Sequence, residues 1–133
     1  MVEYITGING VGKTRIMCEA CINTAAESKG NVIFIDASDK LSTRLPSNIR
    51  LINVSDFGIE GATALCGFLV GLCASDYDLT DVFVDSTMDI INNNNTNLDD
   101  FFDILTKFSD KTGVNFHFAV CDKYSLELAY QSN

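Results

Sequence analysis

The chain has 133 residues, enough for one hydrophobic core and one domain. Its 47% apolar and 20% charged residues give a folded globular balance and exclude a disordered chain. A net charge of −9 repels phosphate backbones and argues against an autonomous DNA or RNA binder. No apolar run reaches the length of a membrane span, and the N-terminus enters a strand instead of a signal peptide. A cytoplasmic protein with no membrane partner is expected. The five cysteines are odd in number and lie in apolar stretches, as reduced thiols do.

A short apolar run (Val2, Tyr4, Ile5) leads into Gly7-Ile8-Asn9-Gly10-Val11-Gly12-Lys13-Thr14. This segment fits G-x-x-x-x-G-K-[ST], and a helix-compatible segment follows from Lys13, so the order is strand, glycine loop, helix. Backbone N–H groups wrap a polyphosphate only where no Cβ blocks close approach, which accounts for Gly7, Gly10 and Gly12. The helix beginning near Lys13 adds the positive end of its dipole. Lys13 supplies a point charge for the β- and γ-phosphates, and the Thr14 hydroxyl is placed for Mg²⁺.

In these residues the chain resembles the P-loop NTPase superfamily, and the extra Gly10 makes it most similar to the small RecA-like ATPases. The resemblance implies ATP as ligand, held by Asn9, Gly10, Val11, Gly12, Lys13, Thr14 and Arg15, with Mg²⁺ as cofactor. The negative charge of the whole chain opposes nucleotide binding, so a strict metal requirement is expected.

Further along, residues 15–28 carry Ile16, Met17, Ala20, Cys21, Thr24 and Ala25 at helical spacing, and Lys29-Gly30-Asn31 is read as the helix stop. Cys18 and Cys21 have C-x-x-C spacing but fall inside this helix, with no second pair or ligand-spaced histidine. They read as small core-facing residues. Residues 32–35 form a continuous apolar run ending in Asp36, which suits a parallel strand covered on both faces.

Residues 37–48 form a polar connection with the only proline, and 49–54 a shorter strand at the sheet edge. Residues 59–74 are nearly all apolar and small. At about 16 residues this helix is too short for a bilayer, and it should be buried on more than one side, inside the domain or against another subunit.

Residues 81–85 form the next buried strand, and 92–97 an exposed asparagine-rich connection. Helix 98–112 follows, with Asn97 as N-cap, Asp99 and Asp100 in its first turn and Gly113 at its end. Its core face is read as Phe101, Phe102, Leu105 and Phe108. Strand 114–120 and a helix from Asp122 to about residue 130 complete the chain. The fold expected is a three-layer α/β/α sandwich around a mainly parallel five-stranded sheet, of the RecA-like P-loop type.

Ligands in such sheets bind beyond the carboxyl ends of the strands, where the glycine loop, Asp36, Asp85 and Asp122 would gather. Two strands end in an acid able to hold the Mg²⁺ hydration shell, at Asp36 and at Asp85. Asp85 is preferred for the metal, because its separation from the loop looks like that in RecA-like ATPases. By the same resemblance Asp36 takes a catalytic position beside Lys13 and Asp85.

Many hydrolytic ATPases place a glutamate base directly after the metal aspartate, whereas this chain has Ser86 and Thr87. Asp36 or Asp39 would have to substitute, and Ser86 could position water or sense the γ-phosphate. His117 alternates with Phe116 and Phe118, faces away from both, and reads as structural. Arg44 is the one arginine placed to act as a finger.

A slow Mg-dependent ATPase coupled to a conformational or assembly change is the leading expectation. A nucleotide-dependent interaction module without hydrolysis is the alternative, with helix 59–74 as the surface for a second copy or a partner. A small-molecule kinase is a further alternative, although three arginines are few for clamping a second substrate. A GTPase lacks its N-K-x-D signature, and a ParA-like ATPase lacks its extra lysine, where Ile8 stands.

Overall fold

One sheet of five parallel strands organises the computed structural model, which describes residues 1–7, 12–37, 45–91 and 98–121. In chain order the elements are β1 (Val2–Gly7), α1 (Lys13–Glu27), β2 (Asn31–Asp36), β3 (Ile49–Asn53), a 3₁₀ turn (Val54–Phe57), α2 (Ala62–Ser75), β4 (Leu79–Val84), α3 (Thr87–Ile91), α4 (Leu98–Thr112) and β5 (Asn115–Cys121). The strand order is β1-β5-β4-β2-β3, with every neighbouring pair parallel. The expected three-layer architecture is present. The helix expected after Asp122 and the Asn97 cap lie outside the described residues.

Strand alternation sorts the core into two layers. Val32, Phe34, Phe83 and Ala119 face α1, where they meet Met17 and Cys21. Ile33, Ile35, Val82, Val84, Phe116 and Phe118 face α2, α3 and α4. Phe34, Phe83, Phe116 and Phe118 are fully buried, each worth about 1.5–3 kcal/mol of transfer free energy. Phe118 also forms an edge-to-face cluster with Phe101 and Phe102, at centroid distances of 5.8 and 5.2 Å. That cluster fixes α4 against the β1–β5 side of the sheet.

Four details differ from the sequence expectations. First, α1 ends at Glu27 with Ser28 extended, and Gly30 has no left-handed backbone. Glycine is required there because an added Cβ would lie 2.0 Å from the Asp78 carbonyl oxygen. Close chain approach, not a helix stop, explains it. Second, α2 buries a single stripe, Ala62, Leu65, Leu69 and Cys73, and exposes Ala64, Gly67 and Gly71. Its all-round apolar character comes from small residues on the outer side, which the described residues leave uncovered.

Third, the last buried position of α4 is Ser109 and not Phe108. The spacing 101, 105, 109 keeps one face inward. The Ser109 hydroxyl stays satisfied by donating to the Val114 carbonyl at 2.6 Å and accepting from the N-terminal ammonium. Fourth, α3 was not anticipated: five residues give too short a window for helical periodicity. Gly113 does end α4 in the left-handed region, at φ 80°, with its N–H donating to the Ser109 carbonyl at 2.8 Å.

His117 is buried, as a structural residue, on the α1 side of the sheet, opposite to Phe116 and Phe118. Its ring stacks on Phe83 with centroids 4.1 Å apart. Nε2 lies 2.8 Å from Asp81 Oδ2 and Nδ1 3.3 Å from Glu3 Oε1, so one ring bridges β4, β5 and β1. Both ring nitrogens thus face a carboxylate oxygen, and an N–H on either one has an acceptor in place. Burial pushes the Asp81 carboxyl up, but hydrogen bonds from His117 and Thr80 and the charge of His117 outweigh it, leaving the carboxyl below its ordinary range.

Two stability predictions follow from these contacts. Gly30→Ala should cost about 1–3 kcal/mol in denaturant unfolding, because the Asp78 backbone cannot retreat as a flexible side chain would. Asp81→Asn should cost about 1–3 kcal/mol near neutral pH. Asp81 titrates lower in the folded chain than in the unfolded one, so its contribution is present above pH 3.8 and lost as pH falls through the folded value. Urea titrations of wild type and variant should therefore converge in acid.

Candidate functional site

The carboxyl ends of the strands hold the residues that the glycine motif predicts. Gly12 sits in the left-handed region at φ 81° and forms the N-cap of α1, with the Ile16 N–H donating to its carbonyl at 2.9 Å. A side chain at this position would be strained even though the space around it is open. The first turn of α1 therefore begins at Lys13 and Thr14, directly after the loop. Asn9, Gly10 and Val11 lie outside the described residues, as do Asp39, Arg44 and Asp122.

Thr14 Oγ1 donates to Asp85 Oδ2 at 2.8 Å, a contact between residues 71 apart in sequence. It depends on strand order. β5 lies between β1 and β4, and α1 crosses this face of the sheet to place Thr14 over the end of β4. Asp81, Phe83 and Asp85 share the α1 side by alternation, which turns the Asp85 carboxylate toward Thr14. Lys13 lies close enough for its charge to act on the same carboxylate.

Asp36 ends the neighbouring strand and occupies a different environment. Its Oδ1 accepts from Ser86 Oγ at 3.1 Å and from the Ala37 N–H at 2.7 Å. The Asp85 N–H donates to the Ile35 carbonyl at 2.8 Å, which extends the β2–β4 ladder to the acids themselves. Both acids are buried, Asp36 to 5% and Asp85 to 4% exposure. Two carboxylates on adjacent strand ends repel, and desolvation disfavours charge further. Burial first and Asp36 second push the Asp85 carboxyl above its ordinary value, against the lowering effects of Thr14, the Ser86 N–H and Lys13.

Ser86 carries a second unusual feature, a left-handed backbone at φ 56°. Residues other than glycine adopt this region at a cost of order 1–3 kcal/mol, and such strain clusters at functional sites. Here the turn aims the hydroxyl sideways at Asp36 while Asp85 faces Thr14. No sequence feature foretold that conformation, although Asp-Ser at a strand end marked the place.

Arg15 is highly exposed, and its Nε donates to Glu19 Oε1 at 3.1 Å one helical turn along α1. It lies one residue past Thr14, within the first turn. Cys18 and Cys21 are not joined by a disulfide, and burial pushes the Cys21 thiol up to about 12, an inert core cysteine. No group of three or more acidic, histidine or cysteine side chains among the described residues forms a ready-made metal cage. The oxygen donors that the Thr14–Asp85 contact brings together are one hydroxyl and one carboxylate, with Asp36 and Ser86 beside them. That set suits a hard cation which keeps most of its water.

The raised Asp85 value predicts a trade between stability and binding. Because the folded chain holds this carboxyl above its unfolded value, the ionised form penalises folding at neutral pH, and the penalty fades as pH falls through the folded value. Asp85→Asn should raise the melting temperature of the ligand-free chain at pH 7, and the gain should shrink toward pH 4. Calorimetric scans at several pH values check the direction.

Comparison with known proteins adds no family: the chain matches no family model and no curated protein sequence.

Proposed function

We propose that the chain is a Mg²⁺-dependent ATP-binding protein of the P-loop type, which hydrolyses ATP slowly and couples binding and turnover to a conformational or assembly change. The Thr14–Asp85 hydrogen bond carries this reading. A hydroxyl at the start of the helix after a glycine loop, bonded to a strand-end aspartate, is the oxygen pair that phosphate-bound Mg²⁺ requires. Left-handed Gly12 and the N-terminus of α1 support it from the phosphate side. When bound, Mg²⁺ neutralises phosphate charge and fixes its orientation.

The residues divide the work. Thr14 supplies a direct oxygen, Asp85 orients the metal's water shell, and Lys13 provides positive charge toward the phosphates. Asn9, Gly10, Val11 and Gly12 offer backbone N–H groups, and Arg15 supports the loop from the first turn. Asp36 is the acid nearest to a hydrolytic role. It is shorter than the glutamate used by fast hydrolases and is held by Ser86 and Ala37, which favours slow turnover.

A second reading has one observation in its favour. Ser86 stands where a glutamate base follows the metal aspartate, and its hydroxyl already donates to Asp36. A nucleotide-gated interaction module without hydrolysis would need no more. Under either reading the exposed small residues of α2 form the face for a second copy or a partner protein. No helix among the described residues is long and apolar enough to cross a membrane, and no nucleic-acid partner is invoked. The free thiols fit the cytoplasm.

Calorimetric titration with ATP and GTP, with and without Mg²⁺, tests the proposal. Wild type should bind ATP with a Kd in the micromolar range, about −8 kcal/mol, only when Mg²⁺ is present. Lys13→Ala should abolish that binding. Phosphate release from the same samples then separates the slow ATPase from the interaction module. A wild-type chain that binds neither nucleotide contradicts both.

A further inference from the structure

The segment after Asp85 ties the strand-end acids to α2, the helix whose outer side carries the exposed small residues. Ser86 is left-handed at φ 56°, and its hydroxyl donates to Asp36 from that conformation. The Ser86 carbonyl accepts from the Ile90 N–H at 3.0 Å and so closes the first turn of α3. Within that turn the buried Thr87 hydroxyl donates to the Val84 carbonyl at 3.0 Å. A helix of five residues turns as a unit when the residue before it turns.

The far end of α3 reaches α2. The Ile90 carbonyl accepts from the Gly61 N–H at 2.8 Å, and the Gly61 carbonyl accepts from the Leu65 N–H at 3.0 Å in the first turn of α2. The connection into α2 is built as a hinge. Gly58 is left-handed at φ 66°, and Gly61 sits at φ 86° and ψ 162°, a region open to glycine almost alone. The bond to Ile90 closes that hinge.

A serine hydroxyl has one proton to donate. Here Asp36 takes it, and that bond offsets the strain of a left-handed serine. The terminal phosphate of a nucleotide held at Thr14 and Asp85 is a competing charged acceptor. We propose that Ser86 and α3 form a relay: a nucleotide with a terminal phosphate draws the Ser86 hydroxyl away from Asp36, α3 shifts, and the start of α2 is released from Ile90. The trigger rests on the ATP-binding reading, whereas the mechanical link from Ser86 to Gly61 does not.

Hydrogen exchange of the Gly61 amide in the full chain tests both halves. Without nucleotide, Ser86→Ala should speed that exchange about tenfold, because alanine keeps the backbone strain and lacks the hydroxyl that offsets it. Ser86→Gly should exchange as wild type does, since glycine is left-handed without strain. The Leu105 amide of α4 should be unmoved in both variants, which separates the link from general loosening. In wild type, saturating Mg²⁺ with AMPPNP should also speed Gly61 about tenfold, Mg²⁺ with ADP should not, and Ser86→Gly should respond to neither. A Gly61 amide indifferent to Ser86→Ala would overturn the link, as would equal acceleration by alanine and glycine. An equal response to ADP and AMPPNP, at concentrations where calorimetry shows both bound, would overturn the trigger. Binding of neither nucleotide contradicts the ATP-binding reading and overturns the trigger with it; an intact Ser86→Ala response then marks that failure as distinct from failure of the link.

Discussion

A single hydrogen bond, Thr14 to Asp85, joins the glycine-loop end of the chain to the middle of its sheet. Much else in the fold serves that contact. β5 separates β1 from β4, so the bond forms only because α1 runs across the sheet and presents its first turn at the end of β4. Alternation then has to place Asp85 on the α1 side, and Phe83 and Asp81 below it keep that register by burying themselves. The ladder bond from Asp85 to Ile35 holds the carbonyl side of the turn. A one-residue slip of β4 would turn Asp85 to the other face and leave Thr14 without its acceptor.

The same face of the sheet holds acids whose surroundings push them in opposite directions. At the amino end of β4, Asp81 meets His117 and is held below its ordinary value. At the carboxyl end, burial first and the neighbouring Asp36 second hold Asp85 above it. Burial raises both carboxyls; the bonds from His117 and Thr80 outweigh it at Asp81, whereas at Asp85 the charge of Asp36 adds to it. A carboxylate hydrogen-bonded by a buried histidine strengthens the sheet, whereas one facing another acid weakens the ligand-free chain. Strained Ser86 adds to that cost at the same spot. A carboxyl held above its ordinary value and a left-handed serine thus fall together at one strand end, beside a well-packed core.

Much of the fold could be read from residue patterns, because unbroken apolar runs at 32–35 and 82–84 admit little except a buried parallel strand. The acids at their ends were equally visible. What could not be read was contact across the sheet. Strand order decides that Thr14 meets Asp85 and that Asp36 meets Ser86, and no local pattern encodes it. Gly30 and α2 show a subtler limit. Both carried real signals, a glycine after a helix and an all-apolar helix, yet the cause lay in a neighbouring carbonyl and in small residues turned outward. Ser109 replaced Phe108 because the inward face follows the helical angle and not side-chain size. The left-handed backbone of Ser86 left no trace in the sequence.

The most direct test of the central claim is paramagnetic broadening of assigned amide resonances, with Mn²⁺–ADP replacing the diamagnetic metal complex. If Thr14 and Asp85 hold the metal of a bound nucleotide, the amides of Lys13, Thr14, Asp85 and Ser86 should broaden first, and those around His117, toward the opposite end of β5, should broaden last. Broadening that is uniform, or that centres elsewhere on the chain while Thr14 stays sharp, would contradict a metal-nucleotide site at this pair.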